Sequence, residues 1–104
     1  MFEKLFNKVS NCKFKQAEST LCVMCCHVLE KNTPILSVAH DKEDIWQFFC
    51  GADGHEYNDI RIVTLSEVTE IDSCINELSE IPLGAGAIRA STEEAWRQYT
   101  LDLE

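Results

Sequence analysis

The sequence predicts an α+β fold: an antiparallel β-sheet, a meander of about four to five strands, with helices packed on one side. Three observations lead to this class. Four short apolar runs between residues 20 and 65 are separated by turn residues. Later stretches carry helical spacing and helix-capping residues. The length of 104 residues and the apolar content of 45% suit one globular domain with a modest core.

The N-terminal segment, residues 1–15, is predicted to be a basic amphipathic helix or arm ahead of a single α+β domain over residues 16–104. It contains four lysines and one glutamate, and its apolar residues have the helical spacing i, i+3, i+4, i+7. These apolar residues are Phe2, Leu5, Phe6 and Val9. Such a helix can contact a membrane or a partner, but we expect it to pack on its own domain.

Four strands are expected in the middle of the chain. The first has no Gly or Pro and is continuously apolar, which is typical of a strand covered on both faces. The stretches "EKNTP", "DKED" and "GADGHEYND" supply the turn and loop residues between the strands. The predicted strands are, in order, TLCVMCCHVL, ILSVAH, IWQFFC and IRIVTL.

The C-terminal third is predicted to hold helices and one more strand. In "SEVTEIDSCINELSEI" the apolar residues have helical spacing, and Asp72 and Ser73 can end one short helix and cap the next. The stretch "LGAGAIRAS" is expected to form a short strand. The stretch "STEEAWRQY" is typical of a terminal helix with Ser91 or Thr92 as its N-cap.

The charge distribution limits the class of partner. The net charge is −9, because the acidic body of the chain outweighs its basic N-terminal segment. An acidic body repels phosphate, which argues against nucleic-acid binding and permits a basic protein partner. No apolar run approaches the roughly 20 residues that span a bilayer, and the charged N-terminus is unlike a signal peptide. We therefore expect a cytoplasmic protein without membrane contact, whose six cysteines are reduced.

The stretch "LCVMCCHVL" places three cysteines and a histidine in nine positions. Cys22 and Cys25 have C-x2-C spacing, but in a strand their side chains point to opposite faces and cannot hold one metal. Cys25 and His27 share a face. With Cys50 and His55 they would form a Cys2His2 zinc set if the first and third strands meet at those ends. The alternative is a buried, sulfur-rich strand packed on aromatic side chains.

No catalytic signature is found, so the chain is predicted not to be an enzyme. The sequence has neither G-x-S-x-G nor a P-loop, and "GAGA" lacks the spacing of a dinucleotide-binding fingerprint. His40 with Asp41 and His55 with Glu56 could each act as base and orienter, but solvated loop histidines are the simpler interpretation. No cofactor is expected, with zinc as the alternative.

A longer pattern runs from Cys25 to Gly51 as C-x-H-V-L, P-I-L-x-V-x-H-D and D-x-W-Q-F-x-C-G, and continues in "IVTLSEV" and L-x-E-I-P-L-G-x-G-A-x-R. It resembles a family of small bacterial proteins of uncharacterised activity, which is more distantly similar to immunity proteins of polymorphic toxin systems. The resemblance covers residues 22–97. The shared residues are Cys25, His27, Asp44, Trp46, Phe48, Cys50, Gly51, Pro82 and Gly84. It implies a protein that acts by binding and uses its acidity to match a basic toxin.

The preferred function is therefore non-enzymatic protein binding, immunity-like, through an acidic face. The loop after the third strand is the expected binding face because it is long, contains glycine and includes a tyrosine, a residue type enriched in interfaces. Its candidate partner-binding residues are Asp53, Glu56, Tyr57 and Asp59. The alternative is a small zinc-binding protein that uses the Cys/His cluster. The partner's identity and the oligomeric state are left open.

Overall fold

The computed structural model describes residues 12–52 and 55–100, in which six strands form one mixed sheet. The strands are β1 Leu21–Cys25, β2 Ser37–His40, β3 Trp46–Phe49, β4 Ile60–Thr64, β5 Ala85–Ile88 and β6 Arg97–Thr100. Their order across the sheet is β4-β1-β3-β2-β5-β6. The α-helices are α1 Cys26–Lys31 and α2 Leu65–Ile71, and 3-10 helices span Tyr57–Asp59 and Ser73–Leu78.

The α+β class and the mostly antiparallel sheet are confirmed, whereas the strand order differs from a meander. Strand β1 lies between β3 and β4 and does not pair with β2. It runs parallel to β3, with Val23 opposite Gln47 and Met24 opposite Phe48. The remaining pairs are antiparallel. As a result, the C-terminal ends of β1 and β3 lie side by side at one edge of the sheet.

The first predicted strand is too long, because β1 ends at Cys25 and α1 begins at the next residue. Helix α1 stops after Lys31, where Asn32 adopts a left-handed conformation (φ 57°) and its backbone N–H donates to the carbonyl of His27. Periodicity could not show this boundary, because a continuous apolar run fits a buried strand and a buried helix equally well. The helix turn moves His27 off the strand and onto α1.

One face of the sheet carries the core. Side chains from neighbouring strands form a continuous buried row in which Met24 lies opposite Phe48, Phe48 opposite Val38, and Val38 opposite Ala87. The helices add Val28, Leu65, Val68, Ile75 and Leu78 to the same apolar cluster. In the part of the chain that the structure describes, no helix is long and apolar enough to cross a bilayer.

The N-terminal segment is described only from Cys12 onwards, so the predicted stripe in residues 1–11 lies outside the described residues. Residues 12–15 are not helical. Phe14 is buried against Trp46, with ring centroids 4.7 Å apart in an edge-to-face arrangement. This part of the basic segment therefore packs on the domain.

The predicted break in the long helical stretch is confirmed at Asp72. Helix α2 begins one residue earlier than the Ser66 start expected from sequence, with Thr64 as N-cap and Glu67 completing a capping box. It ends at Ile71, and the Asp72 carboxylate then accepts the backbone N–H of Cys74 at the start of the 3-10 helix. Two short helices therefore replace one long helix.

The predicted terminal helix is wrong, because its second half forms strand β6. Ser91 caps only a turn, in which its hydroxyl accepts the backbone N–H of Glu93. Residues 97–100 instead pair with the otherwise open edge of β5. Tyr99 lies so close to Gly86 that a Cβ on that glycine would be 2.6 Å from the tyrosine hydroxyl oxygen. Pairing with β5 has therefore overridden a short local helix signal.

His40 is not the solvated loop histidine expected from the sequence, because its side chain is buried at the end of β2, and it does not pair with Asp41. Its Nε2 lies 2.6 Å from Asp44 Oδ1 and its Nδ1 lies 2.8 Å from the carbonyl oxygen of Ile81, so both ring nitrogens are occupied. The ring stacks on Trp46 at 3.9 Å. The hydrogen bond from His40 is the main cause that lowers the pKa of Asp44. His40 thus fastens the β2–β3 turn to the segment before β5.

Replacing Trp46 with alanine tests how much this side chain contributes to the stability of the core. Trp46 is 1% exposed and contacts Phe14, His40 and Phe48. We expect Trp46→Ala to lower the free energy of unfolding by about 3–5 kcal/mol in urea denaturation, as large aromatic truncations in cores do. The control Tyr57→Ala, at a side chain that is 91% exposed, should change it by less than about 0.5 kcal/mol. Equal losses in the two variants would contradict the placement of Trp46.

Candidate metal centre

The parallel pairing of β1 and β3 brings two cysteines to one edge of the sheet. Cys25 is the last residue of β1, and Cys50 directly follows the last residue of β3. Because the two strands are neighbours and run in the same direction, these ends lie side by side. Both cysteines are buried.

The two histidines reach the same point from the segments that leave those strands. Cys25 is the N-cap of α1, and the first helical turn carries His27. After Cys50 comes Gly51, whose φ of 92° lies in the left-handed region that favours glycine. The ring centroid of His55 lies 5.3 Å from that of His27. The same ring packs edge-to-face against Phe49, with ring centroids 4.9 Å apart.

Two sulfur–nitrogen distances within this Cys/His cluster (Cys25, His27, Cys50 and His55) match the edges of a metal tetrahedron. Cys50 Sγ lies 3.7 Å from His27 Nδ1 and 3.6 Å from His55 Nε2. Zinc bonds of about 2.3 Å to sulfur and 2.0–2.1 Å to nitrogen, set at tetrahedral angles, separate sulfur from nitrogen by about 3.6 Å. One potential ligand atom from each of the four residues lies within 4.8 Å of the others. The cluster can hold a metal ion.

Burial makes the metal-free site unfavourable for a thiolate. Desolvation is the main cause that raises the pKa of Cys25. The backbone N–H groups of Val28 and Cys50 act in the opposite direction, because they hydrogen-bond to the sulfur. The Cys25 sulfur is thus surrounded by amide donors that can stabilise a thiolate, although burial without a cation favours the neutral thiol.

A carboxylate and a third thiol adjoin the cluster. Asp59 closes the 3-10 helix, where its Oδ2 accepts the backbone N–H of Glu56 at 2.9 Å. Its Oδ1 lies 3.8 Å from Cys26 Sγ. Cys26, His27 and Asp59 form a second group with potential ligand atoms within 4.8 Å of one another. His27 therefore belongs to both groups.

The structure brings together the four residues predicted as metal ligands, although not in the way the sequence suggested. Cys25 and His27 are neighbours through a strand-to-helix junction and do not share a strand face. Cys22, the other half of the C-x2-C, is buried in the core, and its pKa is raised to about 12, mainly by burial. Cys22 belongs to neither group of potential metal ligands among the described residues.

The predicted partner-binding loop is only partly described. Asp53 lies outside the described residues. Glu56 and Asp59 bond to each other's backbone in a capping box, so Asp59 is not simply a solvated charge. Tyr57 is 91% exposed. Protein binding through this loop stays a prediction.

Sequence reasoning missed the place of Cys26 and Asp59 beside the cluster. The sequence places Asp59 in the partner-binding loop and gives no reason to group Cys26 with His27. The tetrapeptide from Glu56 to Asp59, acidic at both ends, was the available signal for the capping box.

Comparison of the chain with family models, curated proteins and solved structures found no match. The resemblance to immunity proteins therefore stays a prediction.

The buried thiols predict an alkaline loss of stability in the metal-free protein. Unfolded thiols ionise near pH 8.5, whereas burial keeps Cys22 and Cys25 protonated to higher pH, so above that point the unfolded state binds fewer protons. The two thiols leave the free energy of unfolding unchanged below about pH 8.5. Above it, Cys22 lowers the free energy of unfolding by about 1.4 kcal/mol per pH unit, and Cys25 acts in the same direction. Urea unfolding with chelator and reductant between about pH 7.5 and 10 measures the slope.

The slope should be shallower in Cys22→Ala than in the matched variant Cys74→Ser, whose thiol is exposed. Identical slopes in the two variants would show that Cys22 ionises as readily in the folded as in the unfolded chain.

Proposed function

We propose that this chain is a zinc-binding protein in which Cys25, His27, Cys50 and His55 hold one zinc ion. The observation that supports the proposal is the convergence of four potential ligand atoms within 4.8 Å of one another. These residues come from segments far apart in sequence. Two of the sulfur–nitrogen separations already have the length of a tetrahedral edge.

The donor set favours zinc among the common metals. Thiolate and imidazole are the ligands that zinc uses in its tetrahedral sites, whereas calcium and magnesium require oxygen ligands. A Rieske iron–sulfur cluster also uses two cysteines and two histidines, but it binds them to different irons. Sulfur and nitrogen atoms 3.6–3.7 Å apart fit one metal ion better than two.

A site with four protein ligands is closed, which is typical of structural zinc. In this fold the ion would join the ends of two strands, the first turn of α1 and the loop before β4. It would also provide the positive charge that a buried Cys25 thiolate lacks in the metal-free protein. The proposed role of the zinc ion is therefore to fasten this edge of the sheet.

Metal analysis of protein purified without chelator tests the proposal. We expect about one equivalent of zinc per chain, and a loss of most of it in Cys25→Ser and Cys50→Ser because a serine hydroxyl is a poor substitute for thiolate. The matched control is Cys74→Ser, an exposed cysteine outside the cluster, which should keep its zinc.

Chelator should lower the melting temperature of wild type and of Cys74→Ser, but should have little effect on Cys25→Ser, which is already metal-free. Less than about 0.1 equivalents of zinc bound after zinc addition to the folded, reduced protein would refute the proposal.

A further inference from the structure

We propose that Asp59 is the positioning carboxylate of the zinc centre, accepting the Nε2–H of His27 while Nδ1 of that ring binds the metal. This inference rests on the proposed zinc site and assigns a role to a residue outside its four ligands. The juxtaposition of Asp59, Cys26 and His27 within 4.8 Å carries it.

The orientation of the His27 ring supports metal binding through Nδ1. Its Nδ1 lies 3.7 Å from Cys50 Sγ, so this nitrogen is turned towards the Cys/His cluster. An imidazole that binds a metal through Nδ1 keeps its proton on Nε2, and that N–H needs an acceptor when half-buried. In metal sites the acceptor is commonly a carboxylate, a backbone carbonyl or water.

The fixed position of the Asp59 carboxylate supports its role as the acceptor for His27. Its Oδ2 is held by the backbone N–H of Glu56 at 2.9 Å, which leaves Oδ1 directed towards Cys26 and the first turn of α1. Asp59 is thus a hydrogen-bond acceptor whose orientation is set by its own loop.

Because of its position in the chain, Asp59 would connect two segments of the zinc site through its hydrogen bond with His27. His55 and Asp59 belong to the same loop, whereas His27 belongs to α1. A hydrogen bond from His27 to Asp59 would therefore tie the loop that supplies one ligand to the helix that supplies another. It would fix the tautomer and direction of the His27 ring before the metal arrives, and such partners typically change metal affinity about 10–100-fold.

The same three residues allow a different arrangement, in which Cys26, His27 and Asp59 themselves bind the ion. That set offers three protein ligands and leaves a coordination position open, whereas the Cys/His cluster offers four. The geometry favours the four-ligand site. Cys26 is then not a ligand, and its sulfur lies 3.8 Å from Asp59 Oδ1.

Zinc affinity, measured by competition with a chromophoric chelator, tests the role of Asp59. Asp59→Asn keeps an oxygen that can cap the 3-10 helix but removes the charge, and we expect it to bind zinc about 10–100-fold more weakly. The matched control is Glu56→Gln, which removes one charge and weakens the other half of the same capping box. That control should bind within about threefold of wild type. Asp59→Glu should recover part of the loss.

The tautomer of His27 provides a readout that a merely structural role of Asp59 would not change. In the zinc-loaded protein, long-range ¹H–¹⁵N NMR spectra should show His27 with a metal-bound Nδ1 and a protonated Nε2 whose proton is shifted downfield. In Asp59→Asn the tautomer should be kept, but the Nε2 proton should move upfield and exchange faster with water. A metal-bound Nε2 in His27, or an unchanged proton resonance in Asp59→Asn, would overturn the inference.

Two further results separate this inference from the proposed function. If wild type binds no zinc, the proposed function fails, and this inference fails with it. If wild type binds zinc and Asp59→Asn binds it equally well, only the inference fails. Loss of zinc in Cys26→Ala together with its retention in Cys25→Ala would place the metal in the three-residue set and make Asp59 a ligand.

Discussion

The parallel pairing of β1 with β3 is the constraint on which the rest of this structure depends. In a simple meander, β2 would lie between β1 and β3 and keep the ends of those two strands about 10 Å apart. Inserting β1 beside β3 in the same direction puts Cys25 and Cys50 at one edge, although 25 positions separate them in the chain. A strand-to-helix turn and a glycine turn at Gly51 then bring His27 and His55 to the same place.

The cost of this arrangement is electrostatic. Two sulfur atoms are buried where neither pairs in a disulfide, and burial raises the pKa of Cys25. Amide donors from Val28 and Cys50 reduce that effect without cancelling it. A bound dication would reverse the balance, because it stabilises the thiolate that the burial of Cys25 disfavours. The fold therefore buries Cys25 in a position where a bound metal ion would favour its thiolate form.

The class of fold and the spacing of most elements could be predicted from local patterns. Apolar runs bounded by turn residues gave the strands, and Asp72 marked the break between α2 and the following 3-10 helix. Strand order could not be predicted, because nothing in β1 itself shows which neighbour it pairs with or in which direction. The terminal strand β6 was missed for a related reason, since pairing with β5 outweighs the helix cap suggested by Ser91.

The candidate ligands could be predicted as a set but not as a geometry. Cys25 and His27 were grouped because alternate strand residues share a face, whereas the structure brings them together through the first turn of α1. The contribution of Asp59 depends on a capping box that orients its carboxylate, and sequence spacing alone does not show such an orientation. Local sequence patterns thus do not determine which strands pair or in which direction the side chains of the site point.

X-ray absorption at the zinc edge tests the central claim most directly, because it counts the atoms bound to the metal in the intact protein. The account predicts two sulfur ligands at about 2.3 Å and two nitrogen ligands at about 2.0–2.1 Å, with imidazole scattering beyond them. The Cys50→Ser variant, loaded with excess zinc, should lose one sulfur. A shell with a single sulfur, with four sulfurs, or with nitrogen and oxygen alone would contradict the Cys2His2 centre.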